Sequence, residues 1–261
     1  MLFSWLKSRR RRRLLSQPFP DEWQRIIETN VPHFNCLDAA AQRRLQSDVS
    51  VFVAEKNWEG CAGLAMTVEI KVTIAALACL LLLGLEHDYF SSVLSILVYP
   101  TAYAVPEPRE LAGSIIEDRD LRFGEAWYRG PVILSWRAIR RDLAHAGSGR
   151  NLVWHEFAHQ LDFLDRTTDG TPPLDNRSQY RQWHEVMNRE FERLIADSHA
   201  GRKTLLDPYG ATNEAEFFAV ATECFFDRGA QLKTEIPSLY ELFEQYYHQD
   251  PAAWKLGTAE A

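Results

Sequence analysis

The stretch Asn151-Leu152-Val153-Trp154-His155-Glu156-Phe157-Ala158-His159-Gln160-Leu161-Asp162 decides how the rest of the chain is read. Two histidines four residues apart, with a glutamate directly after the first, form the zinc-peptidase pattern, provided the segment is helical. On a helix the step from 155 to 159 is about 400°, so the two imidazoles differ by about 40° in direction and stand one turn apart. They can share one ion. Glu156 projects about 100° away from His155, beside such an ion rather than on it, where a general base could take a proton from water. Gly147-Ser148-Gly149 breaks the chain just before Asn151, which can cap a helix running to about Leu164. The motif therefore has the helical context it requires.

Catalytic zinc usually takes three protein ligands and leaves a fourth position to water. Asp165 lies ten residues after His155, the offset used by metzincin-type enzymes, but those need a glycine where this chain has Asp162. Without that turn Asp165 stays about 15 Å along the helix from His155 and cannot reach the ion. A second helix carrying a glutamate is the other route, and Glu214-Ala215-Glu216-Phe217-Phe218-Ala219-Val220-Ala221-Thr222-Glu223 offers two. Glu216 and Glu223 are seven apart, hence on one face. Glu216 could instead be the capping partner of Asn213, and Glu223 could form a salt bridge, so spacing leaves the two undecided. Asp162 shares the histidine face, where it could accept a hydrogen bond from His159 or lie solvated. His184-Glu185 repeats the start of the motif but has Asn188 where the second histidine belongs, and reads as surface.

The chain has 261 residues, 46% of them hydrophobic, enough to bury a substantial core in one compact unit. Its four cysteines show no CxxC spacing, so neither a disulfide framework nor a cysteine zinc site is indicated, and a reducing, cytoplasmic setting is expected. The formal net charge is −7; without Lys7 and Arg9 to Arg13 the remainder carries 23 basic against 36 acidic residues, or −13. An acidic body argues against direct nucleic-acid binding. The arginine run could contact phosphate or lipid head groups, but reads first as a basic, disordered tail over residues 1–17, with one domain over 18–261. No apolar stretch succeeds the arginines, since Ser16-Gln17-Pro18-Phe19-Pro20 interrupts the chain there, so the segment is not a secretory signal.

Along the chain, Asp21 to about Thr29 and Asp38 to about Lys56 read as amphipathic helices, within a helical N-terminal part over about 18–90. Asn57 to Gly63 reads as a turn. Val72 to Leu85 is the most apolar run, but its 14 residues fall short of the roughly 18 to 20 that span a bilayer, so a buried core helix is expected. Val93 to Pro100 and Gly130 to Trp136 read as strands, separated by a turn-rich segment. Further helices are expected over Ser178 to Ala196, Asn213 to Phe226 and Ser238 to His248, with loops at Thr167 to Asn176 and Gly201 to Asn213. The strand ending at Trp136 could be an edge that pairs with an extended substrate, or an interior strand.

Several motifs occur in one order: Leu97-Val98-Tyr99-Pro100, Gly130-Pro131-Val132-Ile133-Leu134-Ser135-Trp136, His155 to Asp162, Tyr209 with Ala215 to Val220, and Pro237-Ser238-Leu239 ahead of Gln249-Asp250-Pro251. On these the chain resembles the Mlc titration factor A family over roughly residues 20 to 255. Members of that family are zinc peptidases of gluzincin type whose catalytic region is similar to that of anthrax lethal factor. The resemblance implies an α+β, zincin-like fold, mainly helical, with a small mixed sheet before the motif helix. It implies one zinc ion with Glu216 as third ligand beside His155 and His159, Glu156 as base, and Tyr209 as donor to the oxyanion. Asp162 and Glu223 are left as supporting residues, and Tyr209 by itself reads as a turn residue after Pro208. Aminopeptidase-like action on small peptides is implied, together with a partner, the glucose repressor Mlc; a non-proteolytic protein that sequesters a repressor is the alternative. The chain departs from the family pattern at Cys224 and in its arginine run.

Overall fold

The computed structural model describes residues 2–101 and 130–254; the turn-rich segment expected after Pro100 lies, for 102–129, outside the described residues. In chain order the elements are α1 (Leu2–Leu15), α2 (Asp21–Asn30), α3 (Ala39–Glu55), β1 (Asn57–Gly60), α4 (Val68–Leu80), β2 (Ser95–Tyr99), β3 (Val132–Ser135), α5 (Trp136–Ala144), α6 (Leu152–Asp162), α7 (Arg177–His199), α8 (Glu214–Asp227), α9 (Gly229–Glu235) and α10 (Pro237–Tyr247). The class is α+β and mostly helical, as expected.

The sheet is parallel throughout its described strands rather than mixed. Its order is β1-β2-β3, with Trp58 opposite Ile96 and Ile96 opposite Val132. The reason is connectivity: α4 lies between β1 and β2 in the chain, and a helical crossover returns the second strand in the direction of the first. The turn expected from Asn57 begins instead with β1. Four residues with two polar side chains are too few for a period-2 signal, and pairing with β2 makes them a strand. β3 ends one residue earlier than expected, because Ser135 caps α5 by accepting from Ala138 N at 3.3 Å.

The arginine run also differs from the expected loose tail. It is helical over Leu2–Leu15 and lies against α3. Arg11 forms a two-pronged pair with Glu55, at 2.7 Å for both bonds, and also pairs with Asp88 while its guanidinium sits 4.4 Å over the Tyr89 ring. Lys7 reaches Asp88 at 2.8 Å. Arginine is a good helix former, and these partners lie 44 or more residues away in sequence, beyond any local pattern.

α4 is the centre of the N-terminal half. Thr67 caps it through Ile70 N at 3.2 Å, so it starts four residues before the apolar run, and Val72 to Leu82 are buried throughout. Each fully buried Val, Leu or Ile contributes about 1.5–3 kcal/mol relative to exposure, which outweighs the modest helix propensity of the β-branched residues. α4 in turn positions α6. Trp154, fully buried, donates its indole N–H to Leu77 O at 3.0 Å, and Phe157 packs edge-on against Phe52 and Phe90 at 5.7 and 4.8 Å.

The C-terminal half wraps α8, whose residues Ala215 to Asp227 are all buried. Trp183 of α7 stacks on Phe243 of α10, and Phe225 of α8 on Tyr247. The loop after α6 returns to the start of α8 through Gly170, which has a positive φ of 73°. A Cβ there would lie 2.4 Å from Glu214 O, so only glycine permits the approach.

Candidate metal centre

The two helices of the site are held in register by carboxylates. Asn151 caps α6 by accepting from Trp154 N at 3.1 Å. Helix N-termini leave backbone N–H groups without internal partners, and here acidic side chains supply them. Asp142 accepts from Leu152 N at 3.0 Å, Glu223 from Asn151 N, and Asp227 from Gly147 N and Gly149 N at 2.9 and 2.6 Å. Asp227 also faces the buried His33 at 3.2 Å. Glu216, Glu223 and Asp227 are spaced by seven and four residues, so their directions on α8 agree within about 40°. α8 therefore runs opposite to α6 and lays one acidic stripe along it.

At the far end of that stripe Asn213 caps α8 by accepting from Glu216 N at 2.9 Å. The capping role considered for Glu216 is thus filled by its backbone, and its side chain points at α6. Glu216 Oε2 lies 3.0 Å from His155 Nε2 and 3.5 Å from His159 Nε2, and the two Nε2 atoms are 3.3 Å apart. All three residues are buried. Glu223 takes a different place: its Oε1 is 2.7 Å from His155 Nδ1, on the other side of the ring.

These distances decide what the cluster can hold. A carboxylate only accepts, so the Glu223 contact places the His155 proton on Nδ1 and turns the Nε2 lone pair toward His159 and Glu216. Ligands about 2.0–2.1 Å from a tetrahedral ion are about 3.3–3.4 Å apart, which matches the spacing of the three donor atoms. Among the described residues His155, His159 and Glu216 form the group able to hold a metal ion. Two imidazoles and a carboxylate suit such an ion in donor type as well.

Titration points the same way. Burial alone would lower the His155 pKa, but the charges of Glu223 and Glu216 outweigh it and raise it to about 10. Burial would raise Glu216, yet its hydrogen bonds with His155 and His159 hold it well below the usual carboxylate range. A proton fills the role of a cation until a metal replaces it.

Glu156 is half-buried on the adjoining face of α6. Tyr209 sits in a one-turn 3-10 segment before α8, its ring centroid 6.0 Å from that of His155, so it is more than a remote turn residue. Asp162 is fully buried, which excludes the solvated reading; it accepts from Gly170 N at 3.1 Å, and burial pushes its carboxyl up to about 6. Asp165 is exposed in the turn after α6 and accepts from Thr167 N at 2.9 Å. His184, Glu185 and Asn188 are exposed on α7. Asp142 and Asp227 carry no motif that marks them in the sequence. The one signal for Asp227 is its spacing from Glu223 on a helix opposite the N–H-rich Gly147-Ser148-Gly149.

Similarity to known proteins agrees with this geometry. Residues 5–248 match the model of the family described as glucose-regulated metallo-peptidase M90. An uncharacterized protein of Synechocystis is 36% identical over 244 residues, covering 93% of this chain and 89% of its own length. Proteins named Mlc titration factor A from Yersinia pestis and Yersinia pseudotuberculosis are 29% identical over 236 residues, covering 89% of this chain and 86% of theirs. With a family match over nearly its whole length and a paired-histidine and glutamate cluster at its centre, the chain belongs to the glucose-regulated metallo-peptidase M90 family.

Proposed function

We propose that the chain is a zinc-dependent aminopeptidase-like enzyme whose centre is His155, His159 and Glu216, with Glu156 as general base. The observation that carries this reading is the convergence of three buried donor atoms at tetrahedral spacing, with Glu223 fixing the ring of His155 from behind. Zinc bound there would supply Lewis acidity, polarising a peptide carbonyl and lowering the pKa of water from about 16 to about 7. Glu156, next to His155 but directed about 100° away, takes the proton from the attacking water and returns it to the leaving amine. Tyr209 donates its hydroxyl to the oxygen that becomes negative. Glu223 and Asp162 are positioning residues: the first orients His155, the second secures the loop at Gly170.

β3 is one of the two outer strands of the sheet among the described residues, which favours pairing with an extended peptide. Family resemblance supports aminopeptidase action on small substrates, and the four free thiols support a cytoplasmic setting. Among the described residues no helix is long and apolar enough to cross a membrane.

Glu156→Gln tests the mechanism. The variant is expected to retain zinc by elemental analysis and to lose peptide turnover by about 10²–10⁴-fold. Turnover at the parent rate would refute the mechanism. The name borne by the Yersinia relatives supports a second reading, that this chain binds the repressor Mlc. Retained binding of Mlc by the same inactive variant would separate a sequestering role from proteolysis.

A further inference from the structure

α1 carries chemistry that the metal centre does not use. Its inner side is fastened to the body: Lys7 and Arg11 pair with Asp88, Arg11 with Glu55, and Arg10 donates to Ala54 O at 2.9 Å. At about 100° per residue, Trp5, Arg9, Arg12 and Arg13 fall within about 100° of one another on the side away from Lys7 and Arg11. All four are exposed, and none of the ion pairs that fasten α1 uses Arg9, Arg12 or Arg13. Trp5 is 53% exposed with the Arg9 guanidinium 5.5 Å from its ring centre, and Leu6, about 20° from Arg13 on the same wheel, is 48% exposed.

A tryptophan and a leucine left in water beside three outward arginines need a partner that is both anionic and apolar. Indole rings settle at lipid head-group depth, and basic side chains are drawn to anionic lipid. A nucleic acid would satisfy the arginines but offer nothing to Leu6, and outside this basic segment the chain carries a formal −13 that repels a long polyanion. A flat bilayer touches only the protruding face. We propose that the outward face of α1 docks the protein on a membrane surface rich in anionic lipid, with Trp5 at head-group level and Arg9, Arg12 and Arg13 on the lipid phosphates.

The test is co-sedimentation of the full chain with vesicles of phosphatidylcholine alone or mixed with phosphatidylserine. Binding is expected only to the mixed vesicles and should weaken as salt rises, because exposed charges are screened. Each arginine near an anionic surface contributes about fivefold, so Arg9→Gln/Arg12→Gln/Arg13→Gln is expected to lose about a hundredfold in partitioning. These side chains point into solvent, so the variant should keep the parent melting temperature and peptide turnover. Addition of mixed vesicles should blue-shift tryptophan emission in the parent, and Trp5→Phe should remove most of that shift. Absence of parent binding to mixed vesicles at low salt, equal binding by the triple variant, or capture by duplex DNA in place of vesicles would each overturn the proposal.

Discussion

α8 and α1 both hold acidic and basic groups in close pairs, but the first does so wholly in the core and the second reaches the surface at Asp88. The carboxylates of α8 that face α6 are 5% exposed or less, and each meets an imidazole or a helix N-terminus. Asp88, which fastens α1, has a side chain 52% exposed. Removing one partner from a buried set leaves a charge with no water to solvate it, whereas removing one from a surface pair leaves a charge that water accepts. Pairing at similar distance therefore has very different consequences in the two helices. In α8 it assembles chemistry; in α1 it attaches a helix and leaves the opposite face free.

The sharpest way to break that contrast is Glu216→Ala. It should abolish metal retention on dialysis and peptide turnover with it, a loss well beyond the about 10–100-fold that a supporting residue costs. Metal content at the parent level would mean that the cluster is not the metal centre. Tyr209→Phe comes next: metal content unchanged and kcat reduced about 10²–10³-fold, as for loss of one oxyanion donor, with KM little altered. An unchanged kcat would return Tyr209 to the status of a packing residue. Glu223→Gln should weaken metal affinity about 10–100-fold, measured by competition with a chelator, since the His155 ring loses its charged acceptor but keeps a neutral one. A loss as complete as that of Glu216→Ala would erase the distinction between ligand and orienting residue.

The smallest effect is expected at α1. Lys7→Gln, which removes the exposed pair with Asp88, should lower stability by under about 1 kcal/mol while leaving turnover unchanged. Burial works against ionisation of Asp88, but its hydrogen bonds with Lys7 and Arg11 hold its pKa at about 2, below the usual 3.8. A depressed carboxyl stabilises the fold above its ordinary pKa. That contribution is lost as pH falls from about 4 through about 2. Acid unfolding monitored by circular dichroism should show a slightly shallower loss over that window in Lys7→Gln; a large difference would mean that α1 is part of the core.

How legible each region is in the sequence depends on how local its contacts are. His155 and His159 are one turn apart on a single helix, so four residues of spacing already bring their rings together. The apolar run at Val72 is a composition signal and needs no partner to be recognised. Glu216 and Glu223, by contrast, share a helix face with equal claims, and family resemblance rather than spacing separates them. β1 gives no strand signal because two of its four residues are polar and its identity lies in β2, 38 residues later at Asn57 opposite Ser95. α1 reads as a tail because the partners of Lys7 and Arg11 lie at positions 55 and 88.

What the sequence by itself determined is the set of local devices: the histidine pair with its adjacent glutamate, the caps at Asn151 and Asn213, the buried helix at Val72 and the largely helical class. Periodicity and capping depend on neighbours within a turn or two, and those are written in consecutive residues. Only the tertiary structure decided that Glu216 meets both imidazoles while Glu223 goes behind His155, that Asp227 serves the loop before α6, and that the sheet is parallel. Those outcomes depend on the rotation and direction of one packed element relative to another, which the summed burial of many distant side chains sets.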